Sequence, residues 1–146
     1  MTREVRQEIE DSADHKEEDY GKEFISSQDR VCGVRPWGHY INLYDGPDCK
    51  VKRITVKPGG RLSYQYHLKR DELWKVISGR GFVTIQDKVG EAMPGSLWSI
   101  DAGKKHRIEN RGDKDLVFIE IQTGFYFGED DIVRIEDDYG RTDSQI

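Results

Sequence analysis

Four side chains with metal-binding heteroatoms stand at spacings that extended backbone can turn onto one point: Gln65, His67, Glu72 and His106. The first three fall in GGRLSYQYHLKRDELWKVISG, residues 59–79, and the fourth in GSLWSIDAGKKHRIEN, residues 95–110. Side chains of a strand alternate faces, so Gln65 and His67 share a side, and a tight turn through Lys69 to Asp71 can return Glu72 on the neighbouring strand. Two imidazoles, one carboxylate and one amide oxygen, with water completing the shell, make a set of borderline hardness. It suits a single divalent ion, zinc first, with manganese, iron or cobalt also accommodated. One protein carboxylate against a divalent ion leaves the site net positive, which favours an anionic or enediolate-like species.

Each of these residues also has a plainer explanation. A lone His is usually a surface or hydrogen-bonded residue, and His15 in a charged stretch and His39 beside Trp37 belong to that class. Glu72 could be one more member of the solvated Lys69, Arg70, Asp71 cluster, yet it adjoins the stretch Leu73 to Ile77, where an unpaired carboxylate would be costly to bury. Gln65 is the weakest ligand alone, since a neutral amide oxygen binds less strongly than imidazole.

The elements that must position these groups read as short strands. Apolar and aromatic residues arrive from Arg30 onward in runs split by Gly and Pro, giving strands over 38–45, 49–57, 62–67, 72–78, 81–86, 96–100, 105–109 and 115–122. Lys57-Pro58-Gly59-Gly60, Ser78-Gly79-Arg80-Gly81 and Met93-Pro94-Gly95 supply the turns between them. Eight short strands without a convincing long helix predict an all-β sandwich or barrel, consistent with a jelly roll. With Gln65 and His67 inward, Arg61 and Ser63 share their face, and Leu62, Tyr64 and Tyr66 lie on the other, where they need cover. Strand parity with Ile54 and Val56 carries Lys52 inward as well. A buried lysine is rare without a purpose; Lys52 is read as a proton-transfer group, a phosphate anchor, or a side chain that snorkels to solvent from a barrel edge.

Length and charge bound the function. A chain of 146 residues suits one domain with one core. No G-x-x-x-x-G-K-[ST] loop is present to support nucleotide chemistry. No apolar run approaches the ~20 residues that span a bilayer, and the N-terminus is acidic, so a soluble, cytoplasmic protein with no membrane partner is expected. Residues 1–24 hold nine acids and four bases, which accounts for the whole formal charge of −5. The neutral remainder has no basic cluster on which to bind nucleic acid. The two cysteines, Cys32 and Cys49, are expected to be reduced thiols. The organisation read from this texture is a charged segment over 1–30, disordered or a short helix, a β-barrel over 31–128, and an acidic extension over 129–146.

Gly59, Gln65, His67, Glu72 and Gly79 are spaced as in the first cupin motif, with Gln in place of its first His. Gly95, Asp101, Ala102, Gly103, His106 and Asn110 are similar to the second, with Asp101 where Pro is usual. The fifteen residues between Gly79 and Gly95 resemble the short connection of microbial cupins. RPWGHY, VKRITVKPGG, LSYQYH, DELW, GEDDIVRIED and YGR are similar to type II phosphomannose isomerases, in which this cupin usually follows a nucleotidyltransferase domain. The resemblance covers roughly residues 34–141.

It implies a single-domain cupin barrel, a Gln-x-His zinc arrangement, homodimers, and interconversion of mannose 6-phosphate and fructose 6-phosphate through a cis-enediol. The dimer would cover the apolar face of Leu62, Tyr64 and Tyr66. Arg70 and Arg141 match family positions and are read as substrate-binding, joined by Arg61 on the inward face, because Arg holds phosphate in bidentate fashion. The extension over 129–146 would fold back over the barrel mouth. Leu68, Lys69 and Leu73 depart from the more histidine-rich family pattern, which leaves the metal set intact and opens the choice of sugar phosphate or nucleotide sugar. Two other classes share the fold: a cupin dioxygenase, which usually takes three histidines and a glutamate for iron, and a non-catalytic sugar- or nucleotide-sugar-binding cupin.

Overall fold

In the computed structural model, residues 33–141 are described. The charged segment expected over 1–30, and Cys32, lie outside them.

The described residues form eleven strands and a single turn of 3-10 helix. The strands are β1 Gly33–Arg35, β2 Gly38–Asp45, β3 Cys49–Val56, β4 Tyr64–Tyr66, β5 Arg70–Ser78, β6 Gly81–Ile85, β7 Lys88–Ala92, β8 Leu97–Ile100, β9 His106–Glu109, β10 Leu116–Gly124 and β11 Val133–Glu136, with the helical turn at Glu129–Asp131. They make two antiparallel sheets, ordered β1-β2-β3-β10-β5-β8 and β11-β4-β9-β6-β7. This is the all-β double-stranded architecture expected of a cupin. No helix among the described residues is long and apolar enough to cross a membrane.

Three central strands of the first sheet decide what the interior contains. Their inward faces follow the period of two: Lys52, Ile54 and Val56 on β3, Glu120, Phe118 and Leu116 on β10, and Glu72, Trp74 and Val76 on β5 are all buried. In register, Ile54, Phe118 and Val76 lie side by side, as do Lys52, Glu120 and Trp74 one step along. The row beyond pairs Gln122 with Glu72. The barrel interior therefore changes from aliphatic to polar along its axis. Val83 and Ile108 of the second sheet, both fully buried, pack with the aliphatic end.

Turn chemistry closes that aliphatic end. Gly79 has φ +82°, and a Cβ there would sit 2.3 Å from the Asp115 carbonyl oxygen, so the connection from β5 to β6 needs glycine. Asn110 is fully buried and fully used: its Nδ2 donates to the Val56 and Lys114 carbonyls at 2.9 and 2.7 Å, and its Oδ1 accepts from Gly112 N at 3.0 Å. The last residue of the second motif is a loop clamp.

Several expectations need correction. Glu72 does not return on a strand beside Gln65: β4 belongs to the second sheet and β5 to the first, so the chain crosses the barrel between His67 and Glu72. Residues 61–63 lie outside any strand, so alternation fails there, and Leu62, Ser63 and Tyr64 are all buried. Cover for Tyr64 comes from this chain: its hydroxyl donates to Asp87 Oδ1 at 2.8 Å and accepts from Asp87 N at 3.0 Å. The same contact fixes the β6–β7 hairpin, where Gln86 and Asp87 take positive φ (50° and 66°) without the usual Asn-Gly pair.

The acidic C-terminal stretch also has structure. β11 pairs with β4, and the buried Asp131 carboxylate accepts from Leu68 N at 3.2 Å and Lys69 N at 2.9 Å. That contact ties the stretch to the crossover carrying His67.

Candidate metal centre

His67, Glu72 and His106 meet at the polar end of the barrel. One ligand atom from each lies within 4.8 Å of the others, and all three residues are buried. Three separate pieces of chain supply them. His67 follows β4, Glu72 lies on β5 across the barrel, and His106 opens β9 opposite Gln65. The loop before His106 is seated by Gly103 N donating to the His67 carbonyl at 2.6 Å, and by Ala102 N donating to Asp71 Oδ1 at 2.7 Å.

Hydrogen-bond partners fix which ring nitrogen is available. His106 Nδ1 lies 2.8 Å from the Lys104 carbonyl oxygen, so the proton on Nδ1 donates there and Nε2 faces Glu72 Oε2 at 3.2 Å. A neutral imidazole so oriented would set two lone pairs against each other in a buried site. A cation must lie between them, either a proton on Nε2 or a metal ion. Arg70 supplies positive charge on the other side: its Nη2 donates to His67 Nε2 at 2.8 Å and to Glu72 Oε1 at 3.2 Å. Arg70 is itself buried, and its Nε and Nη1 have no hydrogen-bond partner in the protein. The two imidazoles and the carboxylate fit a divalent cation, with Gln65 opposite His106 in register, whereas the open N–H groups of Arg70 suit an anionic ligand.

The electrostatics agree. Burial opposes ionisation of Glu72, but the His106 hydrogen bond and the charges of His106, His67 and Arg70 outweigh it and hold the carboxyl far below its ordinary range. For His106, burial is outweighed by the Glu72 hydrogen bond and charge, and its pKa rises. Burial dominates at His67 and lowers its pKa to about 4, so that imidazole is neutral at neutral pH, its lone pair on Nε2 accepting from Arg70.

The remaining candidates separate by position. Gln65 lines the cavity over the cluster, its Nε2 donating to Ser63 Oγ at 3.0 Å, which leaves Oε1 for a ligand role. Lys52, Arg70 and Arg141 line the same cavity. The Lys52 ammonium is 3.6 Å from Glu129 Oε1 and 4.5 Å from the Tyr40 ring centre. Arg141 holds Asp137 through Nε at 2.8 Å and Nη2 at 3.2 Å. Arg61 does not line the cavity. It forms an isolated antiparallel bridge with Glu109, three residues ahead of β4, and its side chain is ion-paired to Asp138.

Sequence reasoning missed Glu120, Gln122 and Arg35. Glu120 and Arg35 line the cavity, and Gln122 is fully buried beside Glu120. A signal was available for two of them: in a strand over 115–122, Glu120 and Gln122 fall on the same face as Leu116 and Phe118.

The mannose-6-phosphate isomerase C-terminal family model matches residues 22–137. Xanthan biosynthesis protein XanB of Xanthomonas campestris pv. campestris is 50% identical over 108 residues, covering 74% of this chain and 23% of that protein. A mannose-1-phosphate guanylyltransferase of Salmonella montevideo is 45% identical over 107 residues, with 73% and 23% covered. The chain thus spans about a quarter of the length of these curated relatives. A Klebsiella pneumoniae protein with a double-stranded β-helix domain superposes with a TM-score of 0.64 at 18% identity, covering 76% of this chain and 95% of that one, which bears on fold alone.

Proposed function

Since the chain belongs to the mannose-6-phosphate isomerase C-terminal family, we propose that it is a metal-dependent sugar-phosphate isomerase acting on mannose 6-phosphate and fructose 6-phosphate. The carrying observation is the buried facing of His106 Nε2 and Glu72 Oε2 at 3.2 Å, with His67 completing a set of donors within 4.8 Å. His67, Glu72, His106 and Gln65 would hold one divalent ion, zinc by the hardness of the set. When bound, that ion supplies Lewis-acid polarisation of the sugar's vicinal oxygens.

The chain's own groups account for the rest of the substrate. Arg35, Lys52, Arg70, Arg134 and Arg141 line the cavity against Glu72, Glu120 and Glu129, a cationic excess that attracts a phosphate monoester. Arg35 carries a planar guanidinium suited to bidentate contact with phosphate, while the Nε–Nη2 edge of Arg141 is taken by Asp137. Lys52, beside Glu129 and the Tyr40 ring, would serve as a cationic anchor within the cavity.

A second reading, a sugar-phosphate-binding barrel that works without metal, is favoured by one observation: Arg70 already donates to both His67 and Glu72. Elemental analysis of the purified full chain, paired with a coupled assay on mannose 6-phosphate, decides between them. The isomerase reading expects about one bound ion per chain and turnover. Metal-replete protein inactive on mannose 6-phosphate and related hexose phosphates would remove it.

A further inference from the structure

Aldose–ketose interconversion moves a proton between C2 and C1, and the metal-ligand cluster contains no group left over to carry it. The cavity does contain a carboxylate with no role so far. Glu120 is 5% exposed and lines the cavity with His106 and Glu72. Its immediate neighbours in register are Lys52 on β3 and Trp74 on β5. Trp74 Nε1 donates to Glu120 Oε2 at 3.1 Å, and Gln122 Nε2 donates to Oε1. Both donors are neutral, so they orient the carboxylate without cancelling its charge.

Trp74 also sets the spacing to the ligand cluster, with its ring edge-on to His106 at 5.5 Å between centroids. The same indole thus touches both a residue of the ligand cluster and the carboxylate. An inward face that runs Leu116, Phe118, Glu120, Gln122 would be more cheaply filled by apolar residues throughout, and a buried carboxylate facing a cavity is a candidate for proton transfer.

We infer that Glu120 is the general base that moves the proton between C2 and C1 of an open-chain sugar phosphate, with Lys52 beside it as the anchoring cation. The inference rests on the isomerase reading. In the first half, the Glu120 carboxylate takes the C2 proton. The C2–H electron pair becomes the C1–C2 double bond, and the carbonyl pair moves onto O1. In the second half, the O2 proton passes to O1, the O2 electrons re-form a carbonyl at C2, and the double-bond pair takes the proton back from Glu120 at C1. Atoms and charge balance, and the carboxylate is regenerated. Burial, reinforced by the nearby Glu72 charge, raises the Glu120 carboxyl to about 7 against the opposing charges of Lys52 and Arg70. A base in that range both accepts and returns a proton near neutral pH. The other charged or titratable groups on the same cavity are Arg35 from β1, Tyr40 from β2, Lys52 from β3, Arg70 and Glu72 from β5, His106 from β9, Arg134 from β11, and Glu129 and Arg141 outside the strands.

The test uses metal-loaded full chain, wild type against Glu120→Gln and Glu120→Asp. It reads kcat and KM for mannose 6-phosphate, metal content, and deuterium incorporation at C2 in heavy water. Glu120→Gln should fold, since the buried Gln122 Oε1 has no partner and a turned amide can accept from the new one. We expect kcat to fall by about 10²–10⁴-fold, with exchange lost to the same degree. KM and metal content should be unchanged, and Glu120→Asp should recover part of the exchange. Near-wild-type kcat and exchange in Glu120→Gln, or activity lost only in step with metal, would overturn the assignment while leaving the isomerase reading in place. A wild type that neither turns over nor exchanges would overturn both.

Discussion

The two ends of the barrel interior are built on the same strands by the same alternation, yet treat buried groups in opposite ways. At the closed end, Val56, Val76, Val83, Ile108, Leu116 and Phe118 fill the space, and the one large polar residue among them, Asn110, has its amide groups engaged by backbone. At the open end, Arg70 and Gln122 carry buried polar atoms without hydrogen-bond partners, and Glu72 Oε2 faces the His106 ring at 3.2 Å. Two steps along β10, from Phe118 to Glu120, separate the regimes. A core that only had to be stable would continue the first pattern, because unsatisfied buried polar atoms cost roughly 1–3 kcal/mol each. The open end departs from that pattern where the candidate site lies.

The comparison breaks most visibly if the ends are exchanged in their dependence on packing. Phe118 lies between Ile54 and Val76 in register and touches Trp74 with ring centres 5.0 Å apart. Phe118→Ala should remove about 3–5 kcal/mol of stability through lost burial and the cavity left behind, read as a shift in the urea midpoint. Metal content of the folded fraction should be unchanged. A loss under about 1 kcal/mol would mean that the closed end is not the structural core.

His106→Ala tests the other end and should have the reverse signature. The variant should keep its β-rich circular dichroism and lose divalent metal by at least the 10–100-fold that supporting residues of metal sites typically command. Stoichiometry equal to wild type would contradict the ligand assignment.

How much of this contrast was legible before the fold was known depends on period and locality. Strands such as β2, β3 and β9 announce themselves through alternating or β-branched runs and fall within a residue or so of where the sequence puts them. His67, Glu72 and His106 were legible as candidate ligands through motif spacing, but their meeting depends on the chain crossing from one sheet to the other between His67 and Glu72. β7 and β11 were not legible: Lys88–Ala92 contains a Gly and two charges, and Val133–Glu136 sits in an acidic stretch. Both are strands because partners across the sheet complete their hydrogen bonds, a property of the assembly. Arg61 lies away from the cavity for a related reason, since alternation was extended three residues ahead of the strand that enforces it. Glu120 was legible and passed over; its parity with Phe118 needed no structure.

The finest test of the contrast is the pH dependence of stability in metal-free protein, where two buried groups of the open end work against each other. Glu120 has its pKa raised from 4.5 to about 7, chiefly by burial. Across that window the folded chain holds more of this proton than the unfolded one, so its contribution to stability is lost as pH rises. His67 runs the other way. Burial lowers it from 6.5 to about 4, the unfolded chain binds more protons between those values, and stability rises with pH there. Glu120→Gln deletes the first slope and spares the second. The stability of this variant relative to wild type should therefore grow as pH is raised from about 5 to about 6.5, measured as the difference in urea midpoints. His106, raised by Glu72 despite burial, titrates in both proteins and largely cancels in the difference. Parallel curves would show that Glu120 ionises as an ordinary surface carboxylate does, and the open end would then differ from the closed one in composition without differing in chemistry.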